Sequence, residues 1–326
     1  MRAIRIIEPG GPEVLRMGEI PRPEPGLSEI RVRVRATGVN RAEILQRRGL
    51  YPAPPGWPDD VPGLEFAGEV EAVGDRVSAW KPGDRAMGLV GGGGYAEFVV
   101  VHEREAVPVP ESLSWEEAAA VPEVFVTAHD ALFTRGRLRM GEAVLIHAVG
   151  SGVGTAAVQL ARVVGASVLG TSRTGWKLER AQELGLEVPI PAGGHEFADD
   201  VLDATGGTGA DVILDLVGAG YLPRNLKCVA LLGRIVVVGL TGGAFAEIDL
   251  GILLRKRVTI VGTSLRSRPL EEKIAAVQAF AREGLPLLTD GRIRPVLDET
   301  FPMADAAGAH RRMEADANFG KIVLVW

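Results

Sequence analysis

The residues best suited to chemistry lie between Val144 and Lys177. Val144, Leu145 and Ile146 form an apolar run of the kind that a parallel strand covered on both faces requires. Ser151, Gly152, Val153 and Gly154 follow at a turn into a helix. Missing side chains there let backbone N–H groups approach a pyrophosphate, whose charge suits the helix's amino end. A second strand, 167 to 171, ends in Thr171, Ser172 and Arg173, with Lys177 just beyond. Hydroxyls and cations at that place bind the 2'-phosphate of an adenosine ribose, where a carboxylate would bind a 2'-hydroxyl. The pattern predicts NADPH as cofactor, with NADH weaker. A charge-assisted hydrogen bond contributes about 1.5–3 kcal/mol, so two cations supply a preference of roughly a hundredfold or more. The full Gly-x-Gly-x-x-Gly pattern is broken at Val149 and Ser151, so the strand, helix and basic strand end around the loop carry the argument.

Such a cradle needs a doubly wound sheet to hold it. From 123 to 264 strands and helices alternate, with apolar strands at 212–214, 235–238 and 258–261, which predicts a six-stranded parallel Rossmann sheet in an α/β chain. Residues 1–122 read differently. Ile30, Val32, Val34 and Ala36 alternate with Arg31, Arg33, Arg35 and Thr37, the period of a strand with one wet face. Proline and glycine clusters separate further short strands, as in a partly open β-barrel. Ser114 and Glu117 form a capping box before an alanine-rich helix. The last sixty or so residues, 265–326, hold helices near 270–282 and 303–313 and a terminal strand at 322–326. Because the nucleotide sheet already has its six strands, this tail is expected to return to the first domain.

At 326 residues and 46% hydrophobic content the chain is long enough for two cores. A formal charge of -6, with both signs interspersed, argues against general nucleic-acid binding. The single cysteine, Cys228, excludes an intrachain disulfide and a four-cysteine zinc site, and among Leu226, Val229 and Leu231 it reads as a buried, inert thiol. No apolar leader and no run of eighteen apolar residues is seen, so a cytoplasmic protein without membrane partners is expected.

With these pieces in order, the chain resembles the medium-chain dehydrogenase/reductase superfamily along its length, and more closely its zinc-free quinone oxidoreductases. The carriers are GVNRAEILQRRGLYPAPPG from Gly38, GLEFAGEVEAVG from Gly63, KPGDRAMGL from Lys81, AAAVPEVFVTAHDAL from Ala118, SGVGTAAVQLA from Ser151 and FGKIVL from Phe319. Within that group it is most similar to the tumour-suppressor-inducible quinone oxidoreductases, through Asn-Arg-Ala, Leu-Gln-Arg and Tyr-x-x-Pro-Pro-Gly at 40–56 and Leu-Arg-Ser-Arg at 265–268. The resemblance implies a barrel of the GroES-like type beside the Rossmann domain. It also bears on metal: zinc relatives carry a cysteine in the position of Asn40 and a histidine in that of Leu64. An asparagine amide is a poor ligand and leucine is none, so no zinc is expected. His102, His129, His147, His195 and His310 show no ligand spacing, and His147, at a strand end, reads as a hydrogen-bonded structural residue.

Without a metal, the acceptor must take hydride unaided, which selects quinones or electron-poor enones and enals. By resemblance Asn40 faces the nicotinamide or acceptor, Thr127 touches the nicotinamide, Gly239 and Leu240 hold its carboxamide, Ser264, Leu265 and Arg266 complete that side, and Asn318 lies near the carboxyl-terminal return. Tyr51 either hydrogen-bonds an acceptor carbonyl or packs on its neighbouring prolines. Glu65 reads as structural, paired with an arginine. No general acid stands out, and a hydroquinone anion can take its proton from water. Many zinc-free relatives place an Asn-Tyr pair beside the adenosine phosphate where this chain has Pro191 and Ala192, leaving Arg173 to compensate. The resemblance also implies a homodimer through the edge strand 258–261. Two other readings stay open: an alkenal or enone double-bond reductase, and a non-catalytic NADPH-binding protein.

Overall fold

The structure, a computed structural model, describes residues 1–193 and 196–326, so His195 lies outside the described residues. The chain folds into two compact units, Met1–Val126 with Leu265–Trp326, and Thr127–Ser264.

The second unit is built on six parallel strands in the order Val188–Pro191, Ser167–Ser172, Ala143–Ile146, Ala210–Asp215, Val229–Val237, Thr259–Gly262. Of the apolar runs read from the sequence, those at 144–146, 212–214 and 235–238 overlap its inner strands and that at 258–261 overlaps an edge strand. Val144, Leu145 and Ile146 pair with Val212, Ile213 and Leu214, and all six are fully buried. The direction of winding reverses between Ala143–Ile146 and Ala210–Asp215, so the loops leaving these two strands diverge and open a crevice at their carboxyl ends. The helix Gly152–Val163 starts at that point and buries Ala156, Ala157, Leu160 and Ala161.

The first unit carries a mostly antiparallel seven-stranded sheet. Glu29–Val39 is its longest strand and pairs with Glu65–Val73, Phe98–His102 and the terminal strand Lys321–Val325. One face of the predicted alternation is as expected, since Ile30, Val32 and Val34 are buried in one core with Phe66, Val70 and Val99, and Ala36 is buried. On the face expected to be wet Arg33 and Arg35 are exposed, but Arg31, paired with Glu24 and Glu71, and Thr37, donating to the Glu65 carbonyl, are buried. Pairing of Val39 with Ile322 brings the end of the chain against the strand that leads into the helix Arg41–Arg47. The capping box is present: Ser114 Oγ accepts from Glu117 N at 3.2 Å and Glu117 Oε2 accepts from Ser114 N at 2.9 Å. The alanine-rich segment is interrupted, however. Helix Trp115–Ala119 stops, and a second helix, Pro122–His129, restarts at a proline and runs into a π-helical turn, Asp130–Arg135.

Candidate functional site

The strand Ala143–Ile146 delivers a turn that the helix Gly152–Val163 completes. Ser151 caps that helix, its Oγ accepting from Gly154 N at 3.0 Å, and Thr155 N bonds to the Ser151 carbonyl at 2.8 Å. The N–H groups of Gly152 and Val153 have no backbone acceptor among the described residues, as expected of a helix's first turn. A side chain at Gly154 would strike the Ala148 carbonyl, so only glycine lets the helix start this close to the strand. A side chain at Gly150 would meet Lys177 Cδ at 2.7 Å, which lays the Lys177 side chain along the loop. Gly150 was not singled out by sequence, because it falls between the positions of the familiar glycine pattern.

A buried polar ladder fixes this loop to its neighbour across the crevice. The Thr171 hydroxyl and His147 Nδ1 are 2.8 Å apart, and His147 Nε2 and Asn225 Oδ1 are 2.7 Å apart. Asn225 Nδ2 donates to Asp215 Oδ2 at 3.0 Å, and Asp215 Oδ1 accepts from the N–H groups of Val217 and Gly218. The amide oxygen can only accept, so His147 carries its proton on Nε2. Burial lowers its pKa, which keeps the ring neutral. His147 is thus the structural residue its position suggested. Ser172 is buried at the end of its strand, its Oγ accepting from Thr174 N at 3.1 Å, and Arg173 and Lys177 follow. Gly239 packs its Cα against the Leu216 carbonyl, and Leu240 beside it is exposed. Thr127, buried on the helix Pro122–His129, and Ser264, exposed, also belong to this unit.

The first unit gathers Asn40, Tyr51, Leu265, Arg266 and Asn318. Asn40 precedes the helix Arg41–Arg47, and Glu43 folds back to accept from its N–H at 2.8 Å. The Asn40 amide is held on both sides: Nδ2 donates to Glu65 Oε1 at 2.9 Å and Oδ1 accepts from Lys321 Nζ at 2.7 Å. Lys321 also donates to Glu65 Oε1 at 2.6 Å and to the Val39 carbonyl at 3.0 Å. Glu65 is therefore paired, but with a lysine and not with the arginine expected. The basic partner reaches it from the terminal strand, which registers against Val39.

Glu43 is the hub behind Asn40. It is completely buried and accepts from Asn40 N, Leu64 N and the Tyr95 hydroxyl at 2.7–3.0 Å. Behind Tyr95 lies His310 Nε2 at 3.0 Å, and behind His310 Nδ1 lies Arg47 Nη1 at 3.2 Å. Arginine can only donate, so His310 holds its proton on Nε2 and every donor in the chain Arg47, His310, Tyr95 points toward Glu43. Burial and the Arg47 charge push the His310 pKa down to about 3, and burial with the Glu43 charge raises the Tyr95 phenol well above its usual value.

Arg266 is buried too. Its nitrogens donate to the Gly91 carbonyl, the Tyr51 carbonyl and Gln46 Oε1 at 2.7–3.1 Å, and its guanidinium lies 5.1 Å from the Tyr51 ring centre. Leu265 is buried, and Asn318 Nδ2 donates to the Gly320 carbonyl at 2.8 Å. Glu123 was not singled out by sequence. Its N–H donates to Glu65 Oε2 at 2.8 Å, and burial, then the Glu65 charge, raises its pKa to about 8. Leu64 is fully buried, and no group of three or more His, Cys, Asp or Glu among the described residues could hold a metal ion. No helix among them is long and apolar enough to cross a membrane.

A family model described as an alcohol dehydrogenase GroES-like domain matches residues 26–111, and one described as a zinc-binding dehydrogenase matches residues 152–282. The quinone oxidoreductase of Rattus norvegicus is 36% identical over 336 residues, covering 100% of this chain and 98% of its own. That of Pseudomonas aeruginosa is 37% identical over 321 residues, 97% of each chain. Among solved structures, the Escherichia coli quinone oxidoreductase complexed with NADPH matches over 100% of both chains, with a TM-score of 0.88 at 30% identity.

Proposed function

This chain belongs to the quinone oxidoreductase family of medium-chain dehydrogenases/reductases, and from that premise we propose that it reduces quinones with NADPH, without help from a bound zinc ion. The observation that carries the reading is the open helix start at Gly152 and Val153, with Lys177 laid along the same loop. A diphosphate finds N–H donors there with a cation beside them. Arg173, Ser172 and Lys177 then select the 2'-phosphate, so NADPH is preferred over NADH. When bound, NADPH supplies a hydride from its dihydronicotinamide C4. Thr127, Gly239, Leu240 and Ser264 orient the nicotinamide ring, and Asn40, Leu265, Arg266 and Asn318 complete the site. Tyr51 lies against the acceptor.

The residues in the zinc-ligand positions of related dehydrogenases, Asn40 and Leu64, make a poor ligand and no ligand, which favours an acceptor already poised to take hydride. The exposed side chains Phe245, Leu250 and Leu254 and the unpaired edge of Thr259–Gly262 favour a homodimer through that edge. A cytoplasmic setting fits an enzyme that draws on the NADPH pool.

Oxidation of NADPH and NADH against an ortho-quinone, a para-quinone and an alkenal tests the reading. Quinone turnover with NADPH above NADH is expected. A specificity constant for the alkenal orders above that for either quinone would make it a double-bond reductase, and tight NADPH binding without turnover would make it a binding protein.

A further inference from the structure

We propose that Glu123 is the acid that completes acceptor reduction, giving its carboxyl proton to the oxygen that becomes negative as hydride arrives; this rests on the function proposed above. Glu123 stands at the second position of the helix Pro122–His129, and its N–H bond to Glu65 Oε2 fixes it beside a carboxylate. The other Glu65 oxygen is held by Lys321 and Asn40. The Glu123 carboxyl itself makes no hydrogen bond or ion pair among the described residues, and its residue is only partly buried, so a ligand can reach it.

Among the described residues, the charges that act on it include Glu65 and Glu43 on the acidic side and Lys321, Lys273 and Arg266 on the basic side. Each cation is engaged elsewhere. Lys321 is bound to Glu65, Lys273 Nζ is 2.9 Å from Glu105 Oε1, and Arg266 is bound by two carbonyls and Gln46. Burial, with the Glu65 carboxylate, therefore prevails, and the carboxyl keeps its proton to about pH 8. A proton donor is most effective when its pKa is close to the working pH. Two of these cations border aromatic rings, Arg266 at 5.1 Å from the Tyr51 ring centre and Lys273 at 5.4 Å from the Trp57 ring centre.

The step balances. The acceptor gains two electrons and a hydrogen as hydride from a C–H bond of the bound cofactor and becomes an oxyanion. The Glu123 O–H bond breaks, an O–H bond forms on the acceptor, and the carboxylate left behind regains a proton from water.

The test compares wild type with Glu123→Gln by pH-dependent kinetics and by infrared difference spectroscopy of the carboxyl. In wild type, kcat should hold up to about pH 8 and fall above it, as the carboxyl band of a neutral acid disappears. In E123Q that band should be missing, the alkaline limb lost, and kcat at pH 7 lowered about a hundredfold, the scale of a general acid. An E123Q kcat and pH profile like wild type would overturn the inference and leave the function standing. So would a Glu123 carboxyl that titrates in the ordinary carboxylate range, which is readable in wild type alone. Wild-type protein without turnover on any quinone or enal would overturn the function and this role together.

Discussion

The polar groups of the two units are used in opposite ways. Around Asn40 the first unit closes its donors and acceptors on one another: Lys321, Glu65, Glu43, Tyr95, His310 and Arg47 form a buried network in which each proton points at a protein acceptor. At the start of the helix Gly152–Val163 the second unit leaves N–H groups unanswered by its own backbone. The first arrangement fixes a geometry, because a buried polar atom that moves loses a partner it cannot replace with water. The second presents affinity to whatever anion arrives. Glu123 departs from the pattern of its own unit, a carboxyl anchored by its backbone whose side chain the network does not use.

The contrast is broken most severely by removing the cation of the closed network. Lys321→Met leaves the buried Glu65 facing only an amide and a backbone N–H, and loss of one partner of a buried pair costs about 3–5 kcal/mol. Urea unfolding should show that loss, and the double variant K321M/E65Q should recover most of it. A single variant as stable as wild type would mean that the network is not the closed unit described.

A smaller effect, on selectivity and not on stability, is expected at the open end. Arg173→Ala should raise the Michaelis constant for NADPH far more than for NADH, by roughly tenfold to a hundredfold if one charge-assisted bond of about 1.5–3 kcal/mol is lost. Steady-state kinetics with both nucleotides decide it. An unchanged ratio would remove Arg173 from the phosphate site and weaken the argument for NADPH.

The same contrast explains what could be read from the sequence. The Rossmann sheet was legible because its strands are local apolar runs, and the donor loop because strand, turn and helix are contiguous from Val144 to Val163. The alternation at 30–37 and the Ser114 capping box are likewise short-range signals. The closed network is not of that kind. Lys321 meets Glu65 across 256 positions and Tyr95 meets His310 across 215, so neither pairing leaves a trace in spacing. Lys321 reads as an ordinary residue at the start of an apolar strand, and Glu65 was assigned an arginine because no local pattern names its partner. Glu123 reads as a routine acid in a helix's first turn, and only the placement of Glu65 against its N–H gives it a distinctive chemistry. The break at Ala120 and the π-helical turn Asp130–Arg135 were also missed, since the alanine-rich composition supports a continuous helix equally well.

The smallest expected effect tests the direction of the proton chain through His310. Its folded pKa of about 3 lies below the ordinary 6.5 because burial and Arg47 oppose a second proton. As pH falls below about 6.5 the unfolded chain takes up a proton that the folded protein refuses. Stability contributed by the neutral ring is thus complete above that value and is lost toward pH 3, by at most about 1.4 kcal/mol per pH unit. His310→Gln removes the titration but keeps one donor and one acceptor. It should be slightly less stable than wild type at pH 7.5, yet its melting temperature should decline less steeply between pH 7 and pH 5. Carboxylates titrate in both proteins, so the difference between the two slopes isolates the histidine. Parallel slopes would mean that His310 gains its second proton in the folded state, which would require Arg47 to release Nδ1 and the chain toward Glu43 to be broken at its first link.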